Sequence, residues 1–316
     1  MDSARLRREL DVMDQVRRLP PDRPFTSRLA RDEGLTYDVL KRLVQLGVLL
    51  HPLRGVYYVS GLPDSLDLRV AVLALVVPRG AVVTDRVAAW LLGADRVLPP
   101  GAHLEVPAVS MFCLPGSRLR SKLVESGQRL LLRTDTEVIG GIRVTTPLRT
   151  ACDVGRLLHR DQAIGVMDAL AALNRFDVPQ LVAEVERFKG FRGVRQLRYL
   201  APLVDKRSGS PGEGTLRLRW IEVPLPRPEC QVEVCGPDGR SLFVDIGLPD
   251  QRFGAEYFGE EFHGDEHREH DEARLEWLRD SKDWTITVAR KHNVYGAGQD
   301  IDGLLIADAR ACRLLP

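Results

Sequence analysis

Three carboxylates in the last third of the chain have the type and spacing to do chemistry: Glu213, Asp245 and Glu256. Asp245 falls in Ser241–Ile246 and Glu256, eleven residues later, in Arg252–Tyr257. If these are adjoining strands, the two carboxylates converge on one divalent cation, and Glu213, heading the preceding segment, can supply a third ligand. Mg2+ or Mn2+ suits such an oxygen set, keeps several waters, and can turn one of them into an attacking hydroxide. The backbone carbonyl of Tyr257 would be a further ligand. A second constellation, His263, His267, His270 and Asp271, places His267 and Asp271 at i, i+4, a spacing open to Zn2+ or Mn2+. Its plainer reading, a solvated polar helix with incidental histidines, is preferred. No Walker loop, nucleophile elbow or dinucleotide fingerprint is present.

The elements that must position the carboxylates follow from the surrounding pattern. Lys206–Gly212 is a turn-rich linker, and Glu213–Ile221 reads as a helix. Gln231–Cys235 and Ser241–Ile246, joined by Gly236-Pro237-Asp238-Gly239, make a β-hairpin. Arg252–Tyr257 is a third strand, Glu266–Arg279 a charged helix, and Trp284–Val288 a last strand. That order, α-β-β-β-α-β, is the core order of the PD-(D/E)xK nuclease fold.

A different chemistry is written near the N-terminus. Thr26 can cap a helix over Ser27–Glu33, and Thr36 a second one that buries Leu40, Leu43 and Val44 and stops at Gly47. Strands at Val48–Leu50 and Val56–Val59 follow, joined by His51–Gly55. Helix, tight turn, helix and two-stranded wing make a winged helix-turn-helix. Its second helix turns Tyr37, Asp38, Lys41, Arg42 and Gln45 away from the apolar stripe, where Arg, Lys and Gln can read base edges in a major groove. Arg54 at the wing tip would meet phosphate or the minor groove.

Between these ends the chemistry is silent. Leu66–Val77, Thr84–Leu92, Ala163–Leu173 and Val178–Glu186 read as helices; Leu104–Val109, Leu130–Arg133 and Arg143–Thr146 read as strands. In the block Thr145–Asp153, Thr150 and Asp153 can cap a helix and Arg149 can pair with Asp153. The expected class is therefore α+β and multi-domain: a winged helix at 1–62, an α/β middle at 63–205, and the endonuclease-like fold at 206–316.

Composition narrows the class. The chain has 316 residues, 45 Lys+Arg against 44 Asp+Glu, and 44% apolar residues, as expected of a folded soluble protein. Five cysteines without CxxC spacing argue against a disulfide framework or a Cys-based zinc site. Charges at Asp2, Arg5, Arg7 and Arg8 with no apolar stretch behind them give no signal-peptide pattern, and no apolar run is long enough to span a membrane. A cytoplasmic protein is expected. The near-zero net charge hides a cancellation: +3 over residues 1–60, +7 over 187–227 and −7 over 250–283.

Two stretches resemble known families. PFTSRLARDEGLTYDVLKRLVQLGVLLHPLRGVYYVSG resembles the N-terminal winged helix of AbiEi-type antitoxins from type IV toxin–antitoxin systems, and TTPLRTACD resembles a block that follows it in actinobacterial members. The resemblance implies DNA binding through Thr36, Tyr37, Lys41, Arg42, Gln45 and Arg54, and a nucleotidyltransferase-like toxin as a partner. Residues 210–288, with SPGE, VDIGLP, EYFGEEFH, DEARLEWL and Trp284 in order, are similar to the very-short-patch-repair-like endonuclease domain. That similarity implies a metal site at Glu213, Asp245 and Glu256, proton transfer by His263, and phosphate stabilisation by Arg274. Two positions depart from the pattern: Phe258 stands where the fold has Lys or a polar residue, and Gly214 where Ser is common. The leading expectation is a Mg2+- or Mn2+-dependent DNA endonuclease delivered by a winged helix. The alternative is a transcriptional regulator or antitoxin whose nuclease fold is degenerate.

Overall fold

Threonine hydroxyls start the first helices. The computed structural model describes residues 16–78, 80–94, 109–113, 124–237, 239–259 and 265–316, with the backbone alone at 109–113, 124–128 and 265–271. After the short strand β1 (Phe25–Thr26), Thr26 accepts from Leu29 N at 3.3 Å and opens α1 (Ser27–Asp32). Thr36 accepts from Val39 N at 3.4 Å and opens α2 (Tyr37–Gln45). Strands β2 (Leu49–Leu53) and β3 (Val56–Val59) complete a sheet of order β1-β3-β2. His51, Pro52 and Leu53 thus belong to a strand rather than to the connection, and the turn shrinks to Arg54-Gly55. Leu40 and Leu43 of α2 pack with Phe25, Leu35, Leu49 and Tyr57.

The chain divides into two compact units, residues 1–93 with 98–150, and 94–97 with 151–316. The boundary expected at 205–206 falls inside the second unit. The first unit adds α3 (Leu66–Ala74), β4 (Ala81–Val83), α4 (Asp85–Leu91), β5 (Val109–Cys113), β6 (Val124–Gln128), β7 (Thr136–Ile139) and β8 (Ile142–Thr145). The five strands form one sheet, order β6-β5-β4-β8-β7. Val72 and Leu73 of α3, Val87 and Leu91 of α4, and Val83 and Val144 of the sheet share a core with Leu53 and Val56. Of the strand expected at Leu104–Val109, residues 104–108 lie outside the described residues.

The strand expected at Leu130–Arg133 is absent, and the reason is chemical. Leu130 and Leu132 are exposed and Leu131 buried, which mimics strand alternation. Yet the Leu130 carbonyl accepts from Arg149 Nη2 at 3.2 Å, and Leu132 N donates to Asp135 Oδ2 at 2.8 Å. Side chains have taken the backbone groups a neighbouring strand would need, and a 3-10 turn follows at Arg133–Asp135.

α5 (Pro147–Leu157) leads to α6 (Arg160–Ala172), α7 (Val178–Glu184) and α8 (Val194–Leu200), the last not foreseen in the sequence. Then come α9 (Pro211–Glu222), β9 (Glu229–Cys235), β10 (Ser241–Leu248), β11 (Phe253–Phe258), α10 (Asp265–Lys282), β12 (Thr285–Arg290), α11 (Lys291–Val294) and α12 (Ile301–Ala311). The sheet order is β12-β11-β10-β9, parallel only between β11 and β12, the pair joined through α10 as a crossover. One face buries Ile246, Phe253 and Ala255 with Leu216 and Trp220 of α9 and Ile301 and Leu305 of α12. The other buries Val232, Val234, Val244 and Ile286 with Leu275 and Leu278 of α10.

Gly214 has its explanation where α9 meets α6. A Cβ there would lie 2.8 Å from Asp168 Oδ2 and 3.2 Å from Gly165 Cα, and one on Gly165 would lie 2.5 Å from Pro211 Cα. The two helices cross with their backbones touching, so no side chain fits. Around the crossing, Arg217 pairs with buried Asp168 at 2.7 Å, Arg219 with Asp161 at 2.6 Å, and Arg160 with Glu222. Burial pushes the Asp168 carboxyl up to about 6, against the pull of Arg217 and the Asp205 N–H.

Candidate functional site

The polar face of α2 stands in solvent. Tyr37, Asp38, Lys41, Arg42 and Gln45 are all exposed, as is Arg54 at the β2–β3 turn. Thr36 uses its hydroxyl on the helix start, leaving it a capping role. Among the described residues none of Lys41, Arg42 and Arg54 has an ion pair, so their charges are available to an anion. Behind the turn, His51 Nε2 accepts from Gly55 N at 3.2 Å and its ring stacks on Tyr57 with centroids 4.3 Å apart, which fixes where Arg54 projects. Burial lowers the His51 pKa, keeping the ring neutral as that acceptor role requires.

The three carboxylates come from α9, β10 and β11, and their charges act on one another. Glu213 Oε2 accepts from Gly209 N at 2.7 Å and from Gln231 Nε2 at 2.9 Å. Asp245 Oδ2 accepts from Tyr257 N at 2.8 Å. Glu256, 2% exposed, accepts from Arg274 Nη2, while Arg274 Nη1 donates to the Phe243 carbonyl at 3.0 Å. Burial, then the charge of Glu213, then that of Glu256, push the Asp245 carboxyl from 3.8 up to about 8, against the Tyr257 N–H and Arg274. Tyr257 thus meets the cluster through its N–H.

Two further residues shape this cluster. Phe258 is partly buried and packs against the apolar cluster that includes Val232, Val244, Leu275 and Leu278. Gln231 was missed by sequence reasoning. It sits in β9 with a left-handed φ of 53°, between the Cys230–Ile246 and Val232–Val244 pairs and across from Asp245. Val244 and Ile246 should share a face by alternation, yet they lie in different cores. The irregularity at Gln231 and Asp245 switches faces there and re-aims both side chains. The sequence carries no signal of it, because Glu229-Cys230-Gln231-Val232-Glu233-Val234 alternates polar and apolar straight through Gln231.

His263 lies outside the described residues, and so do the side chains of His267, His270 and Asp271 on α10. A Mg2+ or Mn2+ ion would need several of the carboxylate oxygens together at about 2.0–2.1 Å for Mg2+. The residues present do not fit that requirement. N–H donors are aimed at Glu213, Asp245 and Glu256, and no three His, Cys, Asp or Glu among the described residues form a set that could hold an ion.

The Thr145–Asp153 block is largely buried, and its charged residues pair with partners outside it. Arg149 bonds Asp135 at 2.7 Å rather than Asp153, and Thr150 shares a 2.7 Å hydroxyl contact with Thr145. Asp153 pairs with Arg156 at 2.7 Å. Arg156 also donates to the Arg192 carbonyl at 2.8 Å and stacks over Phe188 and Phe191 at 4.9 and 5.6 Å, pinning the loop before α8. That loop and α8 expose Lys189, Arg192, Arg195 and Arg198 with Phe191 and Tyr199.

Residues 80–203 match the AbiEi antitoxin C-terminal domain family. Two proteins of Mycobacterium tuberculosis, "Uncharacterized protein Rv2248" of strain H37Rv and "Uncharacterized protein MT2308" of strain CDC 1551, are each 32% identical to the chain over 250 residues, covering 79% of it and 85% of their own length. The chain belongs to their family.

Within it, the AbiEi domain accounts for β4 through α8, including the Thr145–Asp153 block, Arg156 and the basic loop. It overlaps the middle region expected at 63–205. The match stops at residue 203, before Glu213, Asp245 and Glu256, and so gives no support to a fused endonuclease domain. Among the described residues no helix is long and apolar enough to cross a membrane.

Proposed function

We propose that this chain is a DNA-binding regulator of the antitoxin class, reading DNA through an N-terminal winged helix and carrying a C-terminal PD-(D/E)xK-like fold that does not hydrolyse DNA. The exposed cationic face of α2, ahead of an AbiEi antitoxin domain, is the observation that carries this reading. Lys41, Arg42 and Gln45 supply donors for base edges and phosphates, and Arg54 a donor to the backbone beside them. The exposed cations of the loop before α8 add to the same attraction for a polyanion. In this reading the AbiEi domain neutralises a toxin, with a nucleotidyltransferase-like enzyme as the expected partner.

The test is retention of the DNA upstream of the protein's own gene, with and without Lys41→Ala plus Arg42→Ala. Specific retention by the wild type, lost in the double variant, supports the reading. Equal retention by both removes α2 as the reading element. Growth rescue on co-expression with an adjacent nucleotidyltransferase-like toxin tests the antitoxin half.

A second reading, phosphodiester hydrolysis by metal-activated water, draws on the mutual influence of Glu213, Asp245 and Glu256. Arg274 bound to Glu256 and Phe258 packed against an apolar cluster favour the first. Nicking of supercoiled plasmid with Mn2+, abolished by Asp245→Ala, would reverse that order.

A further inference from the structure

We infer that Arg274 takes the place a divalent cation would hold at Glu256 in the acidic cluster, so that this buried carboxylate is partnered by the protein itself. The inference goes beyond the regulator reading, because it concerns cation binding and needs no DNA.

Glu256 sets the requirement. At 2% exposure its carboxylate is cut off from water, and a buried carboxylate is costly without a positive partner beside it. A metal ion would meet that need in an oxygen-ligand site. Here Arg274 of α10 meets it, with one arm of the guanidinium on Glu256 Oε2 and the other on the Phe243 carbonyl at 3.0 Å. The fork is therefore anchored to β10 and β11 together, the two strands that carry Asp245 and Glu256. A planar guanidinium suits this bridging task better than the single ammonium of a lysine.

The neighbouring groups complete the arrangement. Asp245 is held by the Tyr257 N–H at 2.8 Å, and Glu213 by the Gly209 N–H and the Gln231 carboxamide at 2.7 and 2.9 Å. Each is an N–H dipole with its positive end toward a carboxylate oxygen, an arrangement that opposes an incoming cation. Gln231 keeps its place at the cost of a left-handed backbone inside a strand. Position 258, from which a lysine would reach the same carboxylates, holds Phe258, partly buried and packed against the apolar cluster to which Leu275 and Leu278 of α10 belong. α10 therefore supplies two things at once: the apolar surface that takes in Phe258, and, from Arg274, the charge that position 258 lacks. A cation entering the cluster would have to displace Arg274 from a buried carboxylate and would meet its charge nearby.

The experiment uses the full chain and Mn2+ alone as probe, with free Mn2+ read by electron paramagnetic resonance and the melting temperature followed in parallel. The variants are Arg274→Met and Arg274→Met with Glu256→Gln. The wild type is expected to take up no Mn2+ at about 1 mM and to keep its melting temperature. Arg274→Met is expected to bind about one Mn2+ per chain, at least about tenfold more tightly than the wild type, and to be stabilised by it. Adding Glu256→Gln should remove that binding. If Arg274→Met folds only when Mn2+ is present, the ion has taken over the role of the arginine and the inference stands. Wild-type binding as tight as that of Arg274→Met overturns it, as does a folded Arg274→Met that takes up none, or uptake that survives Glu256→Gln. Should Arg274→Met fold under no condition, the wild-type arm decides alone: uptake overturns the inference and its absence supports it. No arm contains DNA, so failure here leaves the regulator reading untouched.

Discussion

Lys41 and Arg42 on α2 stand in water without an ion pair among the described residues, whereas Arg274 on α10 is bound at both ends, to a carboxylate that is 2% exposed and to a backbone carbonyl. Arg217 on α9 is held the same way, by buried Asp168 and the Leu203 carbonyl. Basic side chains are thus left exposed in one region and committed to internal partners in the other. Exposed charges cost little to remove and are free to meet a ligand. Buried ones are committed to a partner whose charge would be stranded without them.

That contrast predicts opposite responses to mutation. The largest effect belongs to the buried side: Arg217→Met should destabilise the fold by about 3–5 kcal/mol in chemical unfolding, because Asp168 loses its cation while remaining buried. A loss below about 1 kcal/mol would mean that the α6–α9 crossing does not depend on its ion pairs.

Next comes Asp245→Asn, with the opposite sign. The folded state raises the Asp245 pKa to about 8, so the stability it contributes is fully present below its unfolded value near 3.8 and is lost as pH rises through about 8. Asparagine can still accept from the Tyr257 N–H without carrying the charge. Asp245→Asn should therefore stabilise the protein at pH 8 by something on the order of 2 kcal/mol, and the gain should vanish by about pH 4. Melting curves of both proteins across that range check it, and a pH-independent difference would contradict the assigned cause.

On the exposed side, Lys41→Ala plus Arg42→Ala should weaken DNA retention roughly tenfold or more and lower its salt dependence by about 1–2 in slope. The melting temperature should hardly move, since both side chains lie outside the core. The smallest effect is expected of Thr36→Ala, about 1 kcal/mol of stability from the lost cap on α2, with DNA affinity falling only as far as that helix frays. If Thr36→Ala lowered affinity as much as the double variant, Thr36 would be a contact residue and not only a cap.

The N-terminal elements were legible because local signals agree there. Threonine caps, the Leu40–Leu43 spacing and the turn at Gly55 each act within a few residues, and each keeps its expected role. The element order of the last third was readable for the same reason. Legibility failed where a distant side chain claims a backbone group, as Arg149 does at Leu130, and where a strand breaks its alternation, as at Gln231. Arg149 was expected to pair with Asp153, four residues on, but the buried Asp135 takes it. Gly214 looked like a lapse from a pattern until the α6–α9 crossing gave it a reason.

The residue types and their order along the chain were determined by sequence: an exposed basic helix near one end, three carboxylates near the other, and a near-zero total charge that conceals opposite local ones. Periodicity and capping act over one or two turns, so such features survive reading in one dimension. What only the tertiary structure decided is who partners whom. Whether Glu213, Asp245 and Glu256 meet a metal or an arginine depends on α10 bringing Arg274, eighteen residues beyond Glu256, onto a buried carboxylate. Coulomb interactions and desolvation depend on distance in space, and the fold alone sets that distance.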